Sequence, residues 1–317
     1  MKTIWACLCA GDILLRREGA DGAFSLPYGD EPPVALQPWS NITTLKDFKI
    51  EELKIDNERI KGFVQQESFN QKSLNSEITL RIVRLDKPVV GVESLEMMGL
   101  RKSHAVLSPK EYQLASKAAE LLYWDQNTKY CGVCGAPTKW MTDISKKCPE
   151  CGKEWWPSPS TAIIVRVCRM RQSDNLQSDN CNKGNAIQSS NCESSNCESS
   201  NCQISEVLLV RARNFRGNHY GLVAGFLETG ESLEECVERE LREEVGIRIK
   251  NLKYFGSQPW PYPFGLMVGF TADYADGDIH LQKEELTEGG WFTRDNMPPI
   301  PDKASIARML IDDWLNR

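Results

Sequence analysis

The stretch "ERELREEVGI", Glu238 to Ile247, carries four glutamates in ten residues. On a helix turning about 100° per residue with Leu233 at zero, Leu233, Cys236, Val237 and Leu241 share an apolar arc. Glu234, Glu235, Glu238 and Arg242 fall opposite, where a solvated face with i,i+4 pairs accounts for them. Glu240 and Glu244 fall inside the apolar arc, at about 340° and 20°, one turn apart on the face that should be buried. Two carboxylates placed so repel each other and lose hydration. A cation between them is therefore expected, and hard oxygen ligands favour Mg²⁺ or Mn²⁺.

A second constellation is "CGVCGAPTKWMTDISKKCPECG", in which two Cys-x-x-Cys pairs stand thirteen residues apart. Each pair makes a tight knuckle that brings two thiolates to one ion, and two knuckles complete a tetrahedron. Cys131, Cys134, Cys148 and Cys151 thus predict a zinc ribbon. Four sulfur ligands leave no position for water, so the Zn²⁺ is expected to be structural. Lys146, Lys147 and Lys153 are offset by Asp143, Glu150 and Glu154, which argues against a ribbon that reads nucleic acid.

Both constellations need elements to position them. "SPKEYQLASKAAELLYWDQN" reads as a helix leading to the cysteines: Ser108 can cap, Pro109 suits the first turn, and Leu114, Ala118, Leu121 and Leu122 form a stripe. Upstream, the start "MKTIWACLCAGDILL" reads as a first strand, and "EITLRIVRL" and "KPVVGVESL" as further strand-like runs. Downstream, "STAIIVRVC", "EVLLVRAR", "YGLVAGFLE", "KNLKYFGSQ", "GLMVGFTADY", "IHLQ" and "GGWFT" alternate with the acidic helix and a last helix, "KASIARMLIDDWLN". That order predicts an α/β domain with a mixed β-sheet between helices. The expected organisation is an N-terminal α+β domain over 1–125, the ribbon over 126–157, and the α/β domain over 158–317. Residues 171–203, where "SSNCE" recurs every five residues with almost no apolar content, are expected to be a disordered insertion in a hairpin.

The totals agree with a protein of this kind. At 317 residues the chain can hold two domains, and 26% charged against 41% hydrophobic is ordinary soluble composition. A net charge of −6 advertises no broad basic surface, and no run approaches a membrane span. The apolar start breaks at Gly11 and Asp12, so a first strand is expected rather than a signal peptide. Of twelve cysteines, four form the ribbon, and Cys181, Cys192, Cys197 and Cys202 lie in the repeats. Cys7, Cys9, Cys168 and Cys236 sit among apolar neighbours as reduced thiols. This usage points to a reducing cytoplasm.

The segment "GFLETGESLEECVERELREEVGI" resembles the Nudix box: Gly, five residues, Glu, seven residues, Arg-Glu, an aliphatic, one residue, Glu-Glu, one residue, Gly, an aliphatic. Gly225, Glu231, Arg239, Glu240, Leu241, Glu243, Glu244, Gly246 and Ile247 meet every specified position. The resemblance implies the Nudix fold and hydrolysis of nucleoside diphosphates linked to another group, with divalent cations held by the helix glutamates. "SQPWPYP", Ser257 to Pro263, is similar to the "SQPWPFP" signature of the NADH pyrophosphatase subfamily, with Tyr262 in place of Phe. That subfamily also carries a four-cysteine ribbon before the Nudix domain. The chain departs from it in the insertion and in Phe264-Gly265, which replace an expected polar pair.

Residue by residue, the resemblance implies Glu240, Glu244, Glu285 and the carbonyl of Ala224 as ligands of the catalytic Mg²⁺ or Mn²⁺. Glu243 is implied as a supporting ligand or base, so Glu240, Glu243 and Glu244 form the catalytic set. Gly225, Glu231, Arg239 and Gly246 hold the box in shape. Gln258, Trp260, Phe226 and Ala307 are implied as substrate contacts, and Trp156 as an aromatic that relatives supply from a neighbouring subunit, which implies a homodimer. The expected reaction is cleavage of the NAD(H) pyrophosphate to the nicotinamide mononucleotide and AMP. One alternative is removal of NAD caps from RNA 5′ ends by the same chemistry. Another, of a different class, is a catalytically silent module that senses nucleotide or binds through the ribbon. The intact carboxylate set speaks against this last reading.

Overall fold

The computed structural model describes residues 2–18, 22–33, 42–50, 78–172, 203–213 and 217–317. The chain divides into two units: Met1–Pro159 with Pro259–Gly265, and Ser160–Gln258 with Leu266–Arg317.

The first unit holds strands β1 (Lys2–Cys9), β2 (Asp12–Glu18), β3 (Ala23–Ser25), β4 (Ile42–Ile50), β5 (Ile78–Leu85) and β6 (Leu95–Gly99). They form one sheet in the order β3-β2-β1-β5-β4, with β6 on β2. The sheet is mixed: β1 runs parallel to β5 and antiparallel to β2. Alternation divides β1 between the faces, with Ala6 and Leu8 packed toward the helices and Trp5, Cys7 and Cys9 in a smaller cluster on the other side. Helix α1 (Leu100–Ser103) precedes α2 (Pro109–Asn127), which is capped as expected by Ser108, with Glu111 completing a capping box. The predicted stripe, Leu114, Ala118, Leu121 and Leu122, is buried against the sheet. "KPVVGVESL" does not form the expected strand. Val90 is 80% exposed, Gly91 takes a left-handed φ of +75°, and pairing with β2 starts only at Leu95.

The ribbon follows α2 as an antiparallel sheet of β7 (Lys139–Thr142), β8 (Ser145–Lys147) and β9 (Glu154–Trp155). Lys146 is not the surface charge the sequence suggested: it is 3% exposed. Its ammonium meets Asp125 at 2.6 Å, donates to the Asp125 and Thr128 carbonyls, and lies 5.3 Å from the ring centres of Trp124 and Trp140. One lysine thereby ties the ribbon to the end of α2.

In the second unit β10 (Ser160–Gln172), β11 (Gln203–Ala212), β12 (Val223–Phe226), β13 (Arg248–Trp260), β14 (Gly265–Asp276) and β15 (Leu286–Phe292) build a sheet in the order β13-β14-β10-β11-β15, with β12 on β10. Helix α3 (Leu233–Glu240) covers one face, where Cys236, Val237, Leu241 and Val245 pack on Ile163, Val165 and Leu208. Helix α4 (Ile306–Leu315) covers the other, where Leu310, Ile311 and Trp314 pack on Ile164, Val207 and Leu209. The expected sheet between helices is thus realised. Arg166 fastens α4, donating to the Leu310 carbonyl and to Asp313. The insertion expected over 171–203 is shortened at both ends, because Arg171 and Gln172 pair with Ile204 and Gln203. Its remainder, 173–202, lies outside the described residues. "IHLQ" is not a strand, and its backbone serves the acidic helix instead.

The Lys146–Asp125 pair generates a stability test. Removing Asp125 leaves a buried ammonium without its carboxylate, so Asp125→Ala should cost about 3 kcal/mol in denaturant unfolding of the first unit. A change below about 0.5 kcal/mol, the size of a surface substitution, would contradict this role.

Candidate active site

Local sequence shapes the acidic segment before any tertiary contact does. Ser232 caps α3 by accepting from the Glu235 amide, and the Glu235 carboxylate accepts from the Ser232 amide. Glu235 is therefore a capping group rather than merely a solvated charge. The α-helix ends at Glu240 and continues as a π turn, Leu241–Val245, which stops at Gly246 in a left-handed conformation, φ +77°. The orphan carbonyls of Glu244 and Val245 accept from the amides of Gln282 and His280, each at 2.9 Å. A Cβ at Gly246 would lie 3.1 Å from the Asp278 carbonyl, so this approach also requires glycine.

Glu240 and Glu244 are buried at 8% and 6% exposure, as the period of the helix predicted. The Glu240 carboxylate rests against the backbone of Gly225, the residue after Ala224. A Cβ on Gly225 would come within 1.9 Å of that carboxylate. β12 places these two residues by pairing Ala224 with Ile164 and Gly225 with Ile163.

Arg239 organises the remaining carboxylates. It binds Glu231 through two nitrogens, at 2.7 and 3.0 Å, and donates to Glu240 at 2.9 Å, Glu243 at 3.1 Å and the Phe226 carbonyl at 3.0 Å. This guanidinium holds the Glu231 carboxyl down at about 2, with the Glu228 amide assisting. Among the described residues Glu244 has no such partner. Burial first, then the charges of Glu240 and Glu285 and a side-chain hydrogen bond with Glu285, raise its carboxyl to about 8. Burial also raises Glu240, opposed by Arg239.

Both donor sets fit the ions their chemistry implies. The four ribbon Sγ atoms lie within 4.8 Å of one another. The Cys131–Cys151 and Cys134–Cys148 separations are 3.6 and 3.4 Å, close to the roughly 3.8 Å between sulfurs of a tetrahedral site with Zn–S of about 2.3 Å. The Val133 and Cys151 amides point at the Cys131 and Cys148 sulfurs, as knuckle backbones do. Glu240, Glu244 and Glu285 gather charge with no matching cation at Glu244 among the described residues, which suits a hard divalent ion.

The substrate-contact candidates are placed differently. Phe226 is 68% exposed at the end of β12. Both ends of the Gln258 amide are engaged, with Oε1 accepting from Ile306 N at 2.7 Å and Nε2 donating to the Ala304 carbonyl at 2.9 Å. Gln258 therefore fastens the start of α4, while Ala307 lies partly buried in that helix's apolar cluster. In the first unit, Trp156 is 50% exposed, whereas Trp260 is half-buried between Arg101 and Tyr262. The supporting amides of His280 and Gln282 had no sequence signal, since a backbone donor carries no side-chain signature.

The NUDIX domain family matches residues 200–313. A curated NAD-capped RNA hydrolase NudC of Pseudomonas aeruginosa is 33% identical over 74% of this chain and 73% of that protein. One from Chromobacterium violaceum is 36% identical over 68% and 69%. Among solved structures, a NUDIX hydrolase from Nitrosomonas europaea covers 59% of this chain and 90% of that one at 19% identity and a TM-score of 0.40.

The raised Glu244 carboxyl makes stability depend on pH. The folded, cation-free protein keeps a proton that the unfolded chain gives up between 4.5 and about 8, so folding stability falls as pH rises through that window. With chelator present, the melting temperature should fall between about pH 5 and about pH 8.5, and saturating Mg²⁺ should flatten the profile. A melting temperature that holds level or rises in chelator would contradict the placement of Glu244. Gly225→Ala should displace the Glu240 carboxylate and lower activity at least about a hundredfold with the fold retained, measured by turnover beside circular dichroism.

Proposed function

The chain belongs to the Nudix hydrolase family, and from that premise we propose that it cleaves the pyrophosphate of NAD(H), releasing the nicotinamide mononucleotide and AMP. The observation that carries this reading is the pair of buried carboxylates, Glu240 and Glu244, facing Glu285 on a helix whose every box position is filled. The relatives' names add the NAD moiety.

A pyrophosphate bridge is inert in water because its negative charge repels an incoming hydroxide. Glu240, Glu244, Glu285 and the Ala224 carbonyl would hold Mg²⁺ or Mn²⁺, which when bound supplies charge neutralisation and activates water. Glu243, 55% exposed at its side chain and held by Arg239 at 3.1 Å, is proposed as the supporting ligand or base. Arg239 and Glu231 lock the loop to the helix and keep Glu240 aimed at Gly225. Phe226 offers an open aromatic face for a base, and Trp156 and Trp260 are proposed as further aromatic contacts. Gln258, bonded to Ala304 and Ile306 at the start of α4, and Ala307 on that helix are proposed as further substrate contacts. The Zn²⁺ held by Cys131, Cys134, Cys148 and Cys151 would be structural. A homodimer and a cytoplasmic setting are part of this reading; the free thiols of Cys7, Cys9 and Cys236 suit a reducing compartment.

A second substrate reading, NAD-capped RNA, is favoured by the names of the relatives. The same bridge occurs there. A net charge of −6 speaks against general RNA affinity, so the cap rather than the RNA body would carry recognition.

A chromatographic assay with NADH, NAD⁺, ADP-ribose and a short NAD-capped RNA, each with Mg²⁺ or Mn²⁺, tests the reading. AMP and the reduced mononucleotide should form fastest from NADH. Faster cleavage of capped RNA would move the assignment to decapping, and product from none of them would defeat it. Glu244→Gln should lower turnover at least about a hundredfold with unchanged circular dichroism, and near-normal activity would remove Glu244 from the catalytic set.

A further inference from the structure

Glu240 and Glu244 are immobilised by burial, but Glu285, which meets Glu244, is exposed. Its place beside Glu244 therefore depends on the backbone that carries it more than on packing around its side chain. That backbone is a single turn between Gln282 and Leu286, closed by the Glu285 and Leu286 amides, which donate to the Gln282 carbonyl at 3.1 and 2.8 Å.

Each end of the turn is tied to a different element of the second unit. At its start the Gln282 amide donates to the Glu244 carbonyl at 2.9 Å, so the two carboxylates share one backbone link. At its end Leu286 is 4% exposed in the core beneath α3 and pairs with Ala212 of β11. Pairing then slips by one residue, because Thr287 stands as an extra residue opposite the Arg211–Ala212 step and donates to the Arg211 carbonyl at 3.2 Å.

The middle of the turn is held by Arg213, the residue that follows β11. Its amide donates to the Glu285 carbonyl at 2.7 Å, and its guanidinium donates to the Lys283 carbonyl through Nη2 and through Nε, the latter at 3.2 Å. One residue thus brackets Glu284, with its backbone bonded on one side and its side chain on the other. Among the described residues this guanidinium is engaged by a carbonyl and by no carboxylate.

We propose that Arg213 is a positioning residue of the metal site: by holding the Lys283 carbonyl it keeps the Glu285 carboxylate beside Glu244 and so sets the affinity for the divalent ion. The proposal rests on the hydrolase reading above, and Mn²⁺ binding without substrate tests it separately. The sign of the effect is diagnostic. Removing a positive charge near a cation site should by electrostatics alone tighten cation binding, whereas a lost tether should weaken it.

Zinc-loaded full-length protein is compared as wild type, Arg213→Ala, Arg213→Lys, Glu285→Gln and the double variant combining Arg213→Ala with Glu285→Gln. Mn²⁺ binding is followed by loss of the free-ion electron paramagnetic resonance signal, and hydrogen exchange at the Glu285 and Leu286 amides is read without added divalent ion. Arg213 is exposed and every variant keeps its backbone bond to Glu285, so the fold is spared. Arg213→Ala should speed exchange at both amides and weaken Mn²⁺ binding about fivefold, and Arg213→Lys should recover part of the loss. In the double variant the Arg213 change should add less than about twofold to the loss caused by Glu285→Gln. Unchanged exchange overturns the tether. Faster exchange with unchanged or tighter Mn²⁺ binding overturns its role toward the ion, and an equal loss with and without Glu285 overturns action through that carboxylate. Wild-type protein that binds Mn²⁺ but cleaves no NADH defeats the functional reading, whereas active wild type with indifferent Arg213 variants defeats only this proposal.

Discussion

The cost of holding carboxylates inside a folded protein governs the second unit. Burial without compensation is unfavourable enough that such groups are paired, protonated or bound to a cation. Arg239 meets part of this requirement, joining Glu231, Glu240, Glu243 and the Phe226 carbonyl around one planar guanidinium. An ammonium could not reach so many acceptors in one plane. Glu244 lies beyond its reach and has the carboxylates of Glu240, Glu285 and Glu243 around it. The imbalance is local and directed, with neutralisation completed on the Glu231 side and withheld on the Glu285 side.

The scaffold can be understood as the means of tolerating that imbalance. Apolar packing of Cys236, Val237, Leu241 and Val245 forces the helix face inward whatever charges it carries. The capping box at Ser232 and Glu235 secures its start, and the amides of His280 and Gln282 secure the π turn at its end. β12 supplies a glycine at the one point where the Glu240 carboxylate needs the space of a side chain. The first unit solves a similar problem differently. Its four cysteine sulfurs are drawn together by two backbone knuckles, and the buried Lys146 has Asp125, two carbonyls and two indole rings around it.

Much was legible in the chain because it rests on local chemistry. Spacing alone assembled Cys131, Cys134, Cys148 and Cys151, and helical period alone put Glu240 and Glu244 on the inner face. Ser108 and its proline announced α2 for the same reason, since a cap is satisfied within one turn. Where strand patterns failed, pairing was the missing information. "KPVVGVESL" has β-branched residues but joins no ladder before Leu95, and "IHLQ" spends its amides on helix carbonyls instead of a ladder.

By itself the sequence determined which residue types recur at which period, and hence the carboxylate face, the thiolate cluster and the family. Only the tertiary structure decided what each polar group is paired with. Nothing in the sequence shows that the Gln258 amide meets Ala304 and Ile306, and Lys146 reads as surface charge until Asp125 covers it. The hold of Arg213 on the Lys283 carbonyl joins residues 70 positions apart, and the Tyr112–Tyr262 contact joins residues 150 apart. Partners at such separation leave no periodic trace, because a hydrogen bond depends on where two atoms meet in space and not on how far apart they lie along the chain.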